Sequence, residues 1–403
     1  MLRRELRGNV GVMIISWIFF GIAMSITIPY FPLYVKALGG TDFHIALVGS
    51  ASGLAALPLI IPGGYLTDII GRKRMIIPLT WAVSVLFFAY ALAPNWIALL
   101  IIRMIDSFLH FYRPALHAII VDSLPPEVRA RGIMITSIIP SIPWLIFPPI
   151  GGWLIDKYGA YGFRLAYVIS GLTGIAAAAL RTKFLMETLA EEKIKKKVSP
   201  FKAISEAYVD VFRVLKEAPR EVMYIIIGSL LISGMSVSAY NSYAVVFVTE
   251  YSNVTREAWG WFKTIGTLAS MGLSIIILPY LDRLPRKMLI IVSGLMFALS
   301  VYMLTYMKYW GAFTSVTLSS IAWSIYHSIW QTYMGDIVKR ELRGRVNAII
   351  SVSMTVGLLW STLASGYLYS MSPILAFQVS IIACIIETIY WALTLKEPRI
   401  RHL

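Results

Sequence analysis

The amino-acid sequence predicts an all-α membrane protein with twelve transmembrane helices in two pseudo-symmetric six-helix bundles. Composition is the first reason. Of the 403 residues, 58% are hydrophobic and only 14% are charged, and the mean hydropathy is +0.72, whereas about a quarter of the residues in soluble domains are charged. The second reason is a series of long apolar stretches, and the third is an internal repeat of charged positions.

The apolar stretches recur along the whole chain, and each has about 20 residues or more, enough to cross roughly 30 Å of hydrocarbon as a helix. They are too long for barrel strands and do not alternate in polarity, which favours a helical bundle. In chain order they lie at approximately 11–36, 43–66, 75–93, 96–122, 132–155, 163–183, 221–248, 258–281, 287–307, 310–336, 346–370 and 373–395. We therefore predict one bundle at 1–183, a linker at 184–220 and a second bundle at 221–403.

The internal repeat is visible in charged residues of the first half that recur in the second half at one constant distance along the sequence. This distance is the one between Asp68 and Asp282. Two clusters keep this register: Asp68, Arg72 and Lys73 recur as Asp282, Arg286 and Lys287, and Asp122, Glu127 and Arg129 recur as Asp336, Glu341 and Arg343. Chance does not hold several clusters in one register, so the two halves are predicted to share one plan.

The formal net charge of +15 would suggest a nucleic-acid partner in a soluble protein, but here the basic residues follow membrane topology. Most of the 36 Lys and Arg residues fall in segments that are cytoplasmic if the N-terminus is inside, including the run 195–197. This bias predicts a multi-pass protein of the cell membrane with both termini in the cytoplasm and no nucleic-acid partner. The single cysteine, Cys384, excludes a disulfide within the chain.

The central segment 184–220 is charged, and Phe201, Ile204, Tyr208, Val211 and Leu215 repeat every three or four residues within it. This spacing favours a helix that lies along the cytoplasmic interface with one apolar face. A partly disordered tether is the alternative.

Three short motifs carry a resemblance to a known family. The segment 64–74, which reads Gly-Tyr-Leu-Thr-Asp-Ile-Ile-Gly-Arg-Lys-Arg, is similar to the family's signature loop, although Ile69 stands where a basic residue is usual and Pro285 replaces the glycine in the second copy. The segment 103–107 resembles an Arg-x-x-Gln-Gly element, and 148–152 resembles the Pro-x-x-Gly-Gly end of an antiporter motif, carried here by Pro148, Gly151 and Gly152. The three motifs together resemble those of the major facilitator superfamily. The resemblance implies two rocking bundles and cytoplasmic loops that separate when the protein opens inward.

Gating is the role that the resemblance implies for the signature loop and its surroundings. Physically, Gly71 permits a tight turn, the cations hold the loop on the anionic side of the membrane, and Asp68 can cap a helix or pair with a basic group. A short anchoring turn is the alternative. The predicted gating residues are Gly64, Asp68, Gly71, Arg72, Lys73, Asp122, Arg129, Asp282, Asp336 and Arg343.

A polar stripe marks the fourth apolar stretch. Its five members, Arg103, Asp106, His110, Arg113 and His117, are spaced by three or four residues and fall within an arc of about 80° on a helix. The positions that match them in the second half, Thr317, Ser320, Ser324, His327 and Gln331, are all polar. Because charge within a span is costly unless it faces water or a partner, the two stripes predict helices around a wet centre.

Asp106 is the predicted carrier of a coupling proton, with Arg103 tuning its pKa; mutual neutralisation of the two side chains is the alternative. Arg113 is the positive charge of the stripe that Asp106 does not neutralise. Pro114 has no N–H group to donate, so it is predicted to free the carbonyl group of His110 near the middle of the span. Glu387 in the twelfth stretch is a second candidate proton site, or an acid held by a local hydrogen bond with Thr388 or Tyr390.

The predicted function is secondary active transport of a small organic molecule by alternating access. Proton-coupled antiport or efflux is the predicted mode of transport, and the predicted functional unit is a monomer. Substrate contacts are predicted at His110, Arg113, His117, Tyr30, Tyr240, Asn241, His327 and Gln331. The positive stripe favours an anionic or zwitterionic substrate; if Arg113 pairs with a carboxylate, export of diverse lipophilic compounds is the alternative.

The sequence contains few of the residues that other functional classes require. No Walker loop is present, no cofactor or bound metal is expected, and five histidines with two in one span give a metalloenzyme few ligands. A membrane sensor or receptor that keeps the fold without transporting is the second hypothesis, and substrate flux in proteoliposomes separates the two.

Overall fold

The computed structural model describes residues 8–125, 128–189, 217–277, 284–339 and 342–397, and every regular element in these ranges is helical. Lipid favours this arrangement, because a helix satisfies its backbone polar groups internally. The first half contains α1 (Asn9–Thr27), α2 (Phe31–Ala37), α3 (Asp42–Ile60), α4 (Pro62–Ile70), α5 (Arg72–Leu92), α6 (Trp96–Leu109), α7 (Arg113–Ser123), α8 (Arg129–Ile138), α9 (Pro143–Tyr158) and α10 (Ala160–Phe184). The second half contains α11 (Arg220–Gly228), α12 (Gly234–Tyr251), α13 (Arg256–Ile277), α14 (Arg286–Tyr306), α15 (Lys308–Ile337), α16 (Arg343–Met371) and α17 (Pro373–Thr394).

Nine helical segments of the described chain are long and apolar enough to cross a membrane. They are Asn9–Ala37, Asp42–Ile60, Arg72–Leu92, Gly132–Tyr158, Ala160–Phe184, Arg220–Tyr251, Arg286–Tyr306, Arg343–Met371 and Pro373–Thr394. The three other predicted spans correspond to α6 with α7, to α13 and to α15. The predicted class, an all-α membrane protein, is confirmed, and a count of twelve spans fits the described helices.

The chain divides into two compact units. Unit 1 comprises Met1–Gly39 and Ala55–Val209, and unit 2 comprises Gly40–Leu54 and Asp210–Leu403. The first part of α3 therefore belongs to unit 2, where the Ser50 hydroxyl donates to the Leu359 carbonyl oxygen at 2.9 Å. The domain bounds drawn from the sequence, 1–183 and 221–403, stay a prediction.

The internal repeat of the sequence is reproduced in the helices. Helix α14 begins and ends in register with α5, since Arg72 corresponds to Arg286 and Leu92 to Tyr306 at the offset that relates Asp68 to Asp282. In unit 1, α10 packs on α5, and in unit 2, α17 packs on α14 in the same way. The predicted pseudo-symmetry of the two halves thus extends to equivalent helix pairs.

Several predictions fall on residues outside the described ranges. These are the basic run 195–197, the interfacial helix over 201–215, and the charged residues Glu127, Asp282 and Glu341.

Candidate functional site

The polar stripe of the fourth span lies on an interrupted helix. Helix α6 ends at Leu109, a 3-10 turn covers His110–Tyr112, and α7 begins at Arg113 with Pro114 in its first turn. Proline has no backbone N–H group, so it is favoured where a helix starts and removes one hydrogen bond from a helix that continues through it. The helix is interrupted at that point, but the His110 carbonyl group, predicted to be free, accepts a hydrogen bond from the backbone N–H group of Arg113 through the 3-10 turn.

Asp106 is the buried centre of a polar cluster in unit 1. The residue is 6% exposed, and its Oδ2 atom lies 3.3 Å from Arg103 Nη1 and accepts a hydrogen bond from the Tyr90 hydroxyl at 3.2 Å. His110 Nδ1 lies 3.2 Å from Asp106 Oδ1 and 2.6 Å from its backbone oxygen. The structure thus brings three members of the predicted stripe together and adds Tyr90 from α5.

Aromatic side chains surround this cluster. The Tyr90 ring stacks on Tyr167 with centroids 4.9 Å apart, and the Tyr34 hydroxyl donates to the Tyr90 carbonyl oxygen at 2.8 Å. The Arg103 guanidinium lies over the Phe31 ring, 5.2 Å from its centroid. A carboxylate with an arginine, a histidine and a phenol around it, and with little water access, has partners that can stabilise either protonation state when they move.

Arg113 and His117 lie apart from this cluster and are exposed. Within the described part of unit 1, the Arg113 guanidinium forms no hydrogen bond or ion pair, while the His117 ring lies 6.1 Å from the Trp17 ring. The stripe predicted as one face therefore divides into a triad centred on the buried Asp106 and two accessible cationic or basic side chains. An accessible arginine without a partner is available to an anionic group.

The corresponding residues of α15 divide in a similar way. His327 and Gln331 are exposed, whereas the Ser320 hydroxyl donates to the Val316 carbonyl oxygen at 2.7 Å and the Thr317 hydroxyl to that of Phe313 at 3.0 Å. These two hydroxyl groups are thus satisfied within α15, whereas Ser324 Oγ lies 2.9 Å from Ser274 Oγ of α13, as expected for packing contacts.

Tyr240 belongs to a cluster in unit 2 that includes a lysine. Its hydroxyl lies 2.8 Å from Ser319 Oγ, and Lys263 Nζ lies 4.9 Å from the Trp259 ring centroid and 5.9 Å from that of Tyr240. The sequence reasoning overlooked Lys263, although a single lysine inside an apolar span is itself the signal that marks a functional residue. Asn241, one position after Tyr240, is exposed.

Tyr30 and the antiporter-type motif meet in unit 1. Tyr30 is fully buried, and its hydroxyl donates to the Pro148 carbonyl oxygen at 2.5 Å. A Cβ atom at Gly151 would collide with the Ile26 carbonyl oxygen, so α9 approaches α1 closely here, and Gly152 is buried in the same helix. Tyr30 therefore already has a partner in this conformation.

The signature loop forms a charge network at the start of α5. Gly71 has a φ of 99°, a conformation that L side chains rarely adopt, so glycine is needed for the turn. Arg72 Nε lies 2.8 Å from Asp122 Oδ2, and its Nη2 lies 3.5 Å from Asp68, whose side chain is 68% exposed. The Glu187 carboxylate accepts from the backbone N–H groups of Arg72 at 3.1 Å and Lys73 at 2.9 Å.

The same network occurs in unit 2. Arg286 Nε donates to Asp336 Oδ2 at 2.6 Å, and the Glu397 carboxylate accepts from the backbone N–H groups of Arg286 at 2.7 Å and Lys287 at 2.9 Å. Arg129 donates to the Leu124 carbonyl oxygen, and Arg343 donates to that of Val338. The contacts of the arginines and aspartates recur at the same sequence offset as the repeat. Glu187 and Glu397 make equivalent contacts in the two units, but they are four residues closer together in the sequence than that offset.

Glu387 has a different partner from the one expected. The Trp391 Nε1 group donates to Glu387 Oε1 at 3.2 Å, while the Thr388 hydroxyl donates to the Cys384 carbonyl oxygen and the Tyr390 hydroxyl to that of Tyr224. Trp391, four residues on, shares a helix face with Glu387. Thr388 points away from that face, and the Tyr390 hydroxyl is already engaged by Tyr224.

Comparison with known proteins gives one family. The family model described as Major Facilitator Superfamily matches residues 13–276 and 226–403. An uncharacterized MFS-type transporter of Methanocaldococcus jannaschii is 23% identical over 94% of this chain and 98% of its own length. A homolog of the multi-drug resistance efflux pump PmrA from Lactococcus lactis is 30% identical over 46% of this chain and 49% of its own, so that alignment spans about half of each protein.

Solved structures show the same fold at low identity. The nucleoside transporter NupG superposes with a TM-score of 0.72 at 16% identity, covering 95% of this chain and 97% of that one. A D-xylose-proton symporter gives a TM-score of 0.72 at 14% identity, covering 98% and 99%. With the twelve-span helical fold, the duplicated loop network and a family model that matches nearly the whole chain, this protein belongs to the Major Facilitator Superfamily of membrane transporters.

Proposed function

We propose that the protein is a proton-coupled secondary transporter that exports a small organic molecule from the cytoplasm by alternating access. The Asp106 cluster is the observation that carries this proposal. A carboxylate that is 6% exposed and is held by Arg103, His110 and Tyr90 changes its proton affinity when any of these partners moves away. Such a change between conformations is what couples a proton to substrate movement.

Export is the direction that the relatives support. One is named a multi-drug resistance efflux pump homolog, and a protein of Staphylococcus aureus that is 29% identical over 40% of this chain is named a quinolone resistance protein. Both alignments cover less than half of each chain. We place the working protein in the cell membrane as a monomer with both termini in the cytoplasm.

An organic anion or zwitterion is the substrate class that the accessible charges favour. Arg113 is exposed without an ion-pair partner in the described part of unit 1, and Lys263 in unit 2 lies against aromatic rings rather than beside a carboxylate. Basic groups of this kind attract a carboxylate or sulfonate, and nearby aromatic walls accommodate an apolar portion.

The proposal is tested in proteoliposomes with a ligand found by thermal-shift screening of the purified protein. Asp106→Asn is expected to abolish accumulation driven by a pH gradient but to retain exchange of labelled for unlabelled substrate, because exchange requires no net proton movement. Asp156→Asn, which neutralises an exposed acid at the end of α9, serves as the control. Full proton-driven accumulation in Asp106→Asn would place the coupling site elsewhere, and binding without any flux in the wild type would favour the sensor hypothesis.

A further inference from the structure

Unit 2 contains a cavity of about 150 Å³ between helices of that unit alone. Its lining includes Glu387, Trp391, Trp323, Tyr326, Phe297 and Ser229. An apolar cavity of about this volume is large enough for one benzene ring. Apart from Glu387, none of the residues predicted for substrate contact or proton coupling is among its lining residues.

Glu387 supplies the cavity with a carboxylate that lacks a cationic partner. Its Oε1 atom accepts from Trp391 Nε1 at 3.2 Å, and within the described residues of unit 2 it forms no ion pair with a lysine, arginine or histidine. Helix α17 is apolar over most of its 22 residues, so an ionised acid in it is costly unless a cation is close. A bound cation would offset that cost.

Aromatic rings form much of the remaining wall. Trp323 and Tyr326 stack with their centroids 6.3 Å apart, and Trp391 is 2% exposed beside them. Aromatic faces attract cations through their quadrupole, and this attraction increases when the site excludes water. Trp323 is 56% exposed, which leaves the rim of the cavity accessible at that side.

A second polar group in the cavity lacks a partner. Ser229 is 1% exposed, and its hydroxyl oxygen forms no hydrogen bond within the described structure. Ser229 starts a π-helical turn, Ser229–Ser233, between α11 and α12, and π turns inside α-helices occur frequently at functional sites. An unsatisfied buried hydroxyl is costly, so it indicates a ligand that can form hydrogen bonds.

We propose that this cavity binds a small arylalkyl amine in its ammonium form, with the ammonium group against Glu387 and a single aromatic ring among Trp323, Tyr326 and Trp391. An ammonium group pairs with the carboxylate, the hydroxyl of Ser229 accepts from an N–H donor, and the volume admits one ring. The site is a binding site within unit 2 and does not depend on the direction or the coupling of transport.

Isothermal titration calorimetry on the purified full-length protein tests the charge requirement with three probes of similar size. Benzylamine, which is protonated at pH 7, is expected to bind at least tenfold more tightly than benzyl alcohol and than phenylacetate. Equal affinity for the three probes, or tighter binding of phenylacetate, would overturn the proposal. This comparison uses the wild-type protein, so it holds whether or not any variant folds.

Two variants locate the site. Glu387→Gln is expected to weaken benzylamine binding at least tenfold and to change benzyl alcohol binding less than twofold, whereas Glu250→Gln, at an exposed acid of α12, leaves both unchanged. Val237→Phe, which places a ring into the cavity from α12, is expected to weaken both ligands at least tenfold. Unchanged benzylamine binding in either Glu387→Gln or Val237→Phe would show that the amine binds elsewhere. None of these measurements requires flux, so they are independent of the transport proposal.

Discussion

Two aspartates in unit 1 compete for one arginine, and they do so unequally. Arg72, whose side chain is 11% exposed, has Asp122 at 2.8 Å and Asp68 at 3.5 Å, with the Asp68 side chain 68% exposed. Shorter and less hydrated ion pairs contribute more to stability. Asp68 therefore has little to hold it in this conformation, as a residue that changes partners in a gate requires.

We predict that Asp122→Asn lowers the free energy of unfolding by about 1 kcal/mol, while Asp68→Asn changes it by a few tenths of a kcal/mol and still lowers transport more than ligand binding. A bias of a few kcal/mol is enough to shift a two-state gate strongly. Thermal unfolding in detergent and flux in proteoliposomes give the two readouts. Normal flux in Asp68→Asn would mean that the signature loop is a short anchoring turn and has no gating role.

Arg113 carries the prediction about substrate charge. Arg113→Gln is expected to weaken binding of an anionic substrate at least tenfold, about 1.4 kcal/mol, because the variant loses the full positive charge that this side chain offers. Lys157→Gln, which removes an exposed cation of the same unit, controls for net charge. Transport of cationic dyes that is unaffected by Arg113→Gln would contradict the charge argument.

Contacts within one helix could be predicted from the sequence, whereas contacts between helices could not. Arg103, Asp106 and His110 come together because residues three and four apart share a helix face. Tyr90 completes the cluster from α5, and no spacing in the sequence relates it to Asp106. The sequence shows Lys263 as a single charge within an apolar span, but only the structure shows the aromatic rings of Trp259 and Tyr240 beside it.

The close approach of α9 to α1 makes the antiporter-type motif a packing feature. Gly151 leaves no space for a side chain against the Ile26 carbonyl oxygen, while a Cβ atom at Gly64 in α4 would meet no atom within 4 Å. Small residues at such crossings allow backbones to approach in membranes.

We predict that Gly151→Ala destabilises the protein by about 1 to 3 kcal/mol, whereas Gly64→Ala leaves it unchanged or raises stability by up to about 1 kcal/mol through helix propensity. Thermal unfolding of the two variants in one detergent measures the difference. Equal unfolding temperatures would mean that α9 moves away from α1 to make room for the added methyl group without a loss of stability.

Helix interruptions were predictable where proline marks them. The 3-10 turn His110–Tyr112 precedes Pro114, and α4 begins at Pro62, which divides the predicted span 43–66. The π turn at Ser229–Ser233 contains no proline, but a glycine stands directly before it and another directly after it. These Gly-Ser pairs are a local signal that the sequence reasoning overlooked.

At the scale of the whole molecule, the repeat register of charged residues was the most informative feature of the sequence. It anticipated that α14 repeats α5 residue for residue and that Arg286 and Asp336 pair as Arg72 and Asp122 do. It did not anticipate Glu187 and Glu397, because these two acids follow their last helices and fall outside the register.

Topology gives the prediction for the whole chain. With the N-terminus in the cytoplasm, single cysteines at Lys157 and Asn253 are expected to react with an impermeant thiol reagent from outside intact cells, and one at Lys196 is not. The background is Cys384→Ala, and the native Cys384 is only 3% exposed. Labelling at 196 without labelling at 253 would reverse the orientation.

The assignment of the first part of α3 to unit 2 has a consequence for biosynthesis. The Ser50 hydroxyl donates to the carbonyl oxygen of Leu359, which follows 309 residues later in the chain, and the Tyr243 hydroxyl donates to that of Asp42. At a synthesis rate of about 5 to 20 residues per second, the ribosome adds Leu359 about 15 to 60 s after Ser50. During that interval the hydroxyl of a helix already inserted in the bilayer has no Leu359 carbonyl to bind, so the second helix must wait in the insertion machinery or in lipid until the eleventh helix arrives.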